Sequence, residues 1–153
     1  MTLVEFECRG YRFALPIAAV RRVETSAQPV PLPGSPDIVL GVLNVAGEVV
    51  TVIDFHRRVG LPDMAIELAQ QLLLVDIQGF FIGFIVDQVS GVTTRDTDRA
   101  PSIPNALAGA EFVDTVIRLD DGLCVICDPE KFLFSDEKIL LGDALERLHH
   151  VRH

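Results

Sequence analysis

Ile38-Val39-Leu40-Gly41-Val42-Leu43-Asn44-Val45-Ala46-Gly47-Glu48-Val49-Val50-Thr51-Val52-Ile53-Asp54-Phe55 is the stretch on which the fold reading turns. Two β-branched apolar runs flank the short break Asn44-Val45-Ala46-Gly47, the pattern of two strands around a tight turn whose Gly47 takes positive φ at no steric cost. In the second run Val49 and Ile53 point one way while Val50 and Val52 point the other, so both faces are expected to be covered. Such a strand belongs inside a barrel or between layers, and this hairpin is expected to be central.

Working outward, Val4, Phe6 and Cys8 share one face, Arg9-Gly10 breaks the run, and Tyr11, Phe13 and Leu15 resume it, which predicts a second hairpin from Leu3 to Leu15. Pro16 stops ladder pairing, and Ile17 to Val20 with Val23 reads as a short helical turn entering another strand. Pro29, Pro31, Pro33 and Pro36 predict an extended loop without ladder hydrogen bonds between Gln28 and Asp37. Phe55 to Val59 can make one helical turn, and Asp63 to Gln71 is a linker or a short helix.

The strand, glycine turn, strand arrangement then repeats in Leu72–Ile77, Gln78-Gly79 and Phe80–Val86. Gly10 to Leu15 followed by Val20 and Val23 matches Gly79 to Phe84 followed by Val89 and Val92 without a gap. Gly47 to Asp54 resembles Gly122 to Asp128, one residue shorter. Two copies of one small β unit follow, at a spacing longer than that of a solenoid, so two similar barrels are expected side by side. Thr93 to Ala110 reads as a surface loop. Ser135 can cap a closing helix with Asp136 and Glu137 in its first turn and a stripe of Leu141, Leu145 and Leu148.

The chain of 153 residues is long enough for one domain that buries roughly 70% of its unfolded surface. Its 49% hydrophobic content exceeds what a simple solvated monomer needs, which leaves apolar surface for partners. The formal charge of −9 argues against nucleic acid and anionic membrane as partners. Glu5 and Glu7 stand where a signal peptide would carry basic residues, and no apolar run approaches the ~20 residues of a membrane span, so the expectation is cytoplasmic with no direct membrane insertion.

Catalytic teams are poorly represented. Cys124 and Cys127 have C-x-x-C spacing but lie in a predicted strand, where residues three apart face opposite sides, and Cys8 alone cannot complete a zinc site. They read as small buried hydrophobes. His56 has no evident nucleophile or acid partner, and His149, His150 and His153 read as a solvated tail. Asp120-Asp121-Gly122 is turn chemistry, and Gly79 and Gly83 sit in a strand pattern rather than a phosphate loop. No catalytic residue, cofactor or metal is expected.

The motif Leu32-Pro33-Gly34-Ser35-Pro36, Ile38, Gly41-Val42-Leu43-Asn44, Gly47 and Val52-Ile53-Asp54-Phe55 resembles the core signature of the CheW family, the bacterial chemotaxis coupling proteins. Phe6, Tyr11, Phe13, Ala14, Leu15, Ile17 and Val20 resemble the family's opening hairpin; Gly83, Val86-Asp87-Gln88-Val89, Pro101, Gly122 and Asp128 resemble its second half. The resemblance covers nearly the whole chain.

It implies a mainly β fold of two five-stranded barrels similar to Src-homology-3 barrels, sharing a hydrophobic core, with short helices and a C-terminal helix. The expected organisation is a single CheW-like domain over 1–153, with barrels over 1–70 and 71–134 and the helix and tail over 135–153. It also implies a non-enzymatic adaptor joining the cytoplasmic tips of chemoreceptors to the regulatory domain of a CheA-type histidine kinase, a monomer or weakly self-associating, recruited to receptor arrays. By resemblance, receptor contact falls on Ile17, Val20, Arg22, Val23, Val86 and Val89, and kinase contact on Val42, Asn44, Ala46 and Gly47. For the apolar members the competing reading is plain core packing.

Two positions depart from the family's pattern. Ala46 stands where an arginine is usual before the turn glycine, and Arg22 stands where an acidic residue is common. Both favour, as the alternative, a scaffold of a divergent chemosensory pathway governing pili, surface motility or gene expression. A thiol- or metal-dependent enzyme and a small-ligand barrel are the readings from other classes.

Overall fold

The alternating N-terminal stretch forms β1 (Thr2–Cys8) and β2 (Tyr11–Pro16), antiparallel from Cys8↔Tyr11 to Leu3↔Pro16. The computed structural model describes residues 1–61, 69–96 and 111–151. A 3-10 turn over Ile17–Ala19 leads into β3 (Val20–Thr25). The glycine-centred stretch is the hairpin of β4 (Val39–Val45) and β5 (Glu48–Ile53), followed by α1 (Phe55–Val59). Next come β6 (Gln71–Ile77), β7 (Phe80–Val86) and β8 (Gln88–Thr94), then β9 (Val113–Leu119), β10 (Gly122–Cys127) and α2 (Ser135–Val151).

Three of the hairpins share one turn. Arg9-Gly10, Ala46-Gly47 and Gln78-Gly79 all carry positive φ at both positions, from 46° to 88°. That is the type I′ turn, whose twist matches the strands it joins. Val45 therefore belongs to β4, and the turn is two residues rather than the four-residue break seen in the sequence.

The ten strands make two five-stranded sheets, ordered β8-β1-β2-β10-β9 and β3-β6-β7-β5-β4. The expected barrels over 1–70 and 71–134 do not coincide with these sheets. After the β1–β2 hairpin the chain crosses over, so β3 joins β6 in the second sheet; after β6–β7 it crosses back, so β8 joins β1 in the first. Each unit gives its third strand to the other. The two-copy pattern survives in the pairing: β2 is parallel to β10 as β7 is parallel to β5.

Three buried clusters explain why both strand faces are apolar. Leu3, Ala14, Ile117, Cys124 and Ile126 fill the inside of the first sheet. Val50, Val52, Leu72, Leu74 and Ile85 fill the inside of the second. The opposite faces meet in a larger shared core that includes Phe6, Phe13, Ile53, Phe84 and Phe132. On β5, Val50 and Val52 therefore enter one cluster and Ile53 the other, as the broken alternation requires. The hairpin itself closes the second sheet, with β4 on its edge and only β5 flanked on both sides.

At the centre lies Phe55, the first residue of α1. Its ring is 5.4 Å from Phe6 and 5.1 Å from Phe13 in the first sheet, 5.4 Å from Phe84 in the second, and 5.6 Å from Phe132 beyond β10. Asp54 holds the helix start by accepting from the Arg57 amide, and Gly60 ends it in left-handed geometry.

The proline-rich loop does make one ladder contact, against expectation. Val30 and Val42 exchange backbone hydrogen bonds of 2.8 and 2.9 Å. Gly41 permits the approach, because a Cβ there would stand 2.3 Å from the Val30 carbonyl oxygen. At the C-terminus Ser135 is the first helical residue rather than the cap; Glu137 Oε1 accepts from the Phe134 amide instead. Leu141 is buried as expected, and Leu145 and Leu148 pack against the shared core. The helix lies on the second sheet, with Leu145, Leu148 and His149 beside Val49, Thr51 and Phe80. Arg58 ties it to α1 through a 2.5 Å ion pair with Glu137. Most of the expected linker at Asp63–Gln71, most of the Thr93–Ala110 loop, Pro101 and His153 lie outside the described residues.

The inside of the first sheet is closed by a buried carboxylate. Glu5 accepts from Arg95 at 2.9 and 3.2 Å and from Thr93 at 2.6 Å. The Arg95 hydrogen bond is the main reason its pKa lies below the ordinary carboxylate value, against the opposing effect of burial. A lowered folded-state pKa means that this stabilisation is complete above the unfolded value near 4.3 and is lost as pH falls through the folded one. In urea titrations between pH 7 and pH 3, Glu5→Gln is expected to be less stable than the parent at neutral pH and to converge with it in acid. Phe55→Ala is expected to lose about 3–5 kcal/mol at neutral pH by the same measurement, because it empties the junction of both sheets.

Candidate functional site

The cysteines, His56 and Asp121 are each taken up by packing or pairing. Cys124 faces the inside of the first sheet and Cys127 the shared core, so the C-x-x-C pair is split by strand alternation. Burial pushes the Cys124 thiol up to about 11 and the Cys8 thiol up to about 12, and Cys127 well above its ordinary value. None is poised as a thiolate. His56 is buried, with Nε2 3.6 Å from Cys8 Sγ, a pairing that the sequence did not reveal across 48 positions. Asp121 serves its turn and takes a bidentate hydrogen bond from Arg12. Among the described residues no cluster of three or more His, Cys, Asp or Glu could hold a metal ion, and no helix is long and apolar enough to cross a membrane.

Two surface features bear on the expected contacts, and the first arises from strand irregularities. In β3 the register shifts between Val20 and Arg22, so Arg21 is an extra residue. Val20 then lies opposite Val75 and Val23 opposite Leu73, both members of the shared core, and the two valines share a face although they are three apart. An equivalent shift in β8 leaves Ser90 extra, so Val89 lies opposite Phe6 and Val92 opposite Val4. Again two valines three apart share the core-side face.

The edges β3 and β8 thus carry the shared core outward into solvent. Val20 and Val89 pack against it, while Val23 is 37% exposed, Ile17 43% and Val92 61%. The edges are held together where β6 begins: Gln70 Nε2 donates to Asp87 Oδ1 at 3.3 Å, Gln71 Oε1 accepts from the Val89 amide at 2.6 Å, and Thr25 pairs with Gln71. The result is an apolar strip with a polar clasp at one end.

Of the six residues expected to meet a receptor, four fall on this strip or beneath it: Ile17, Val20, Val23 and Val89. Val86 does not; it is fully buried in the shared core. Arg22 does not either, because the bulge turns it to the other face, opposite Leu74, where it donates to Glu24 at 2.9 Å and lies 6.0 Å from the Phe81 ring. Val92, exposed on the same face, was not among the residues expected. The signal was present, since the internal repeat pairs it with Val23.

The second feature is the β4–β5 turn on the opposite edge of the second sheet. Asn44 and Ala46 are exposed, and the Asn44 side chain accepts from the Gly47 amide at 3.0 Å. Ala46 sits at φ 50°, in left-handed geometry. Val42, expected in the same contact, is half-buried, bonded to Val30 and packed against the shared core.

The family model described as the CheW-like domain matches residues 2–137. The chemotaxis protein CheW of Rhizobium meliloti (strain 1021) is 25% identical over 89% of this chain and 89% of its own. The chemotaxis protein CheW of Bacillus subtilis (strain 168) is 27% identical over 86% of this chain and 85% of its own. The crystal structure of scaffolding protein TtCheW from Thermoanaerobacter tengcongensis matches with a TM-score of 0.76 at 23% identity, covering 89% of this chain and 94% of that one. The last likeness is one of fold.

Two outcomes follow from this geometry. Replacing Ala46 by asparagine, which tolerates left-handed geometry, is expected to raise stability by about 0.5–1 kcal/mol in chemical denaturation. All three thiols are expected to resist a soluble disulfide reagent at pH 8 in the native protein and to react together once urea unfolds it.

Proposed function

The chain belongs to the CheW-like domain family, and from that premise we propose that it is a non-enzymatic chemotaxis adaptor that couples chemoreceptor tips to the regulatory domain of a CheA-type histidine kinase. The observation that carries the receptor half is the exposed apolar strip of Ile17, Val23 and Val92 over Val20 and Val89. A receptor tip is a coiled-coil hairpin, and a strip rooted in a rigid core accepts its apolar ridge by helix-in-groove docking. Asn44, Ala46 and Gly47 present the kinase contact at the other edge of the same sheet. The adaptor acts from the cytoplasm, at receptor arrays.

Ala46 favours a second reading within the class, a scaffold of a divergent chemosensory pathway. The turn offers a methyl group where the family usually presents a guanidinium, so a kinase matched to that charge loses a donor. Arg22 no longer adds to this argument, because its side chain faces Glu24 and Phe81 rather than the strip.

Calorimetric titration separates these readings. The receptor-tip hairpin and the kinase regulatory domain of the same organism are both expected to bind the parent chain. Val92→Asp is expected to weaken the receptor alone by about tenfold or more, since it puts a charge in an apolar contact. Unchanged receptor affinity in Val92→Asp would refute the strip as the docking surface. If Ala46→Arg alone binds the kinase, the natural partner is a divergent one.

A further inference from the structure

The edge strands β3 and β8 each carry one extra residue, and a slip of one position would erase either bulge. Along β8 such a slip keeps Val89 opposite Phe6, sets Ser90 opposite Glu5 and Gly91 opposite Val4, and brings Val92 opposite Leu3. Every side chain past the bulge then changes face. Val92, which is 61% exposed, would join the cluster of Leu3, Ile117 and Ile126 inside the first sheet, and Ser90 would gain a ladder partner. Apolar burial and backbone pairing both favour that frame. The observed frame needs something that opposes it.

On β3 the strand itself supplies the opposition. Arg22 stands opposite Leu74, and the corresponding slip would turn it opposite Leu73, into the shared core. A guanidinium does not enter such a core without partners. By the internal repeat the same place in β8 is held by Gly91, which has no side chain to resist, and the place of Leu74 is held by Glu5. Glu5 is 6% exposed, and its carboxylate accepts from Thr93 Oγ1 at 2.6 Å and from the guanidinium of Arg95, the residue after β8, at 2.9 and 3.2 Å. All these donors lie beyond the bulge. The slip would carry both residues to the opposite face and leave a buried carboxylate without them, and Arg12, the other cation near Glu5, is already engaged by Asp121 in a bidentate pair.

We propose that Glu5 is a positioning residue that fixes the pairing frame of β8 and so keeps Val92 in the apolar strip rather than inside the first sheet. It touches the strip nowhere and acts through Thr93 and Arg95. Only its consequence for a receptor contact rests on the function proposed above; the frame does not.

The frame is read by thiol labelling of the full chain carrying Val92→Cys, whose three native thiols are buried. With Glu5 intact, the introduced thiol is expected to react as an exposed one. Glu5→Leu, which copies the second sheet, is expected to slow it by about tenfold or more as the strand slips, whereas Glu5→Gln, which keeps an acceptor for Thr93 and Arg95, is expected to label as fast as the parent. Deleting Ser90 from the Glu5→Leu chain is expected to restore fast labelling, because position 92 then returns opposite Val4 with no bulge left to erase. A residue that only stabilises the fold accounts for neither the slowing nor the rescue. Fast labelling in Glu5→Leu while the native thiols stay protected would overturn the proposal, as would slow labelling that the deletion leaves slow. If Glu5→Leu does not fold, which reaction of the native thiols reports, Arg95→Gln takes its place; it leaves Thr93 as a donor and is expected to slow labelling to a smaller degree, and unchanged labelling there overturns the proposal too. No arm uses a receptor, so failure here is distinct from failure of the strip to bind one.

Discussion

Phe55 is the constraint on which the rest of the molecule depends. One ring touches Phe6 and Phe13 from one sheet, Phe84 from the other and Phe132 from the segment that leads to α2. Neither sheet can finish its outer face without it. The crossing of β3 and β8 adds a second link between the halves, because one edge strand of each sheet is the strand that follows the other unit's hairpin. Separating the sheets would expose the shared core and pull on the crossing connections, so the two sheets are expected to unfold together despite the internal repeat.

Charged groups occur near the inside of each sheet, and in both cases they are paired. Glu5 is almost fully buried and is met by Arg95 and Thr93. Glu24 and Arg22 stand on the corresponding face of the second sheet, with Arg21 stacked 4.1 Å over Phe81. A carboxylate beside apolar neighbours is tolerable only where hydrogen bonds replace its water. The positive charge usual for the family is missing at Ala46, while Arg22 is held locally by Glu24, so the two departures belong to different parts of the protein and are not exchanges of one role.

Much of this fold was legible in the sequence because its signals are local. Glycine at 10, 47 and 79 between alternating runs marks hairpins, and the echo of Tyr11–Leu15 in Phe80–Phe84 reveals the repeat. The strand exchange was not legible, since periodicity says which face of β3 is apolar and nothing about which strand lies beside it. The bulges at Arg21 and Ser90 were hidden for a related reason: simple alternation puts Val20 and Val23 on opposite faces, and only an extra residue reunites them. Of the receptor-contact residues that the resemblance implied, four lie on or beneath the strip, while Val86 is buried, which cannot be read from a run of apolar residues that are all alike. The Cys8–His56 contact has no sequence signal whatever.

The positions of the two proposed contacts bear on how a coupler would work. The strip begins on β3 and the turn lies between β4 and β5, the opposite edges of one five-stranded sheet. The strands between them, β6 and β7, are buried on both faces, and their side chains enter the shared core or the inside cluster in close packing; a Cβ at Gly83 would already stand 2.8 Å from Leu72. A sheet packed so tightly resists bending and transmits displacement as a body. On the proposed assignment, a receptor tip that shifts against Val23 and Val92 moves the Ala46 turn with it. Coupling then needs no internal rearrangement of the adaptor; it needs only that each partner hold its edge differently in the two signalling states.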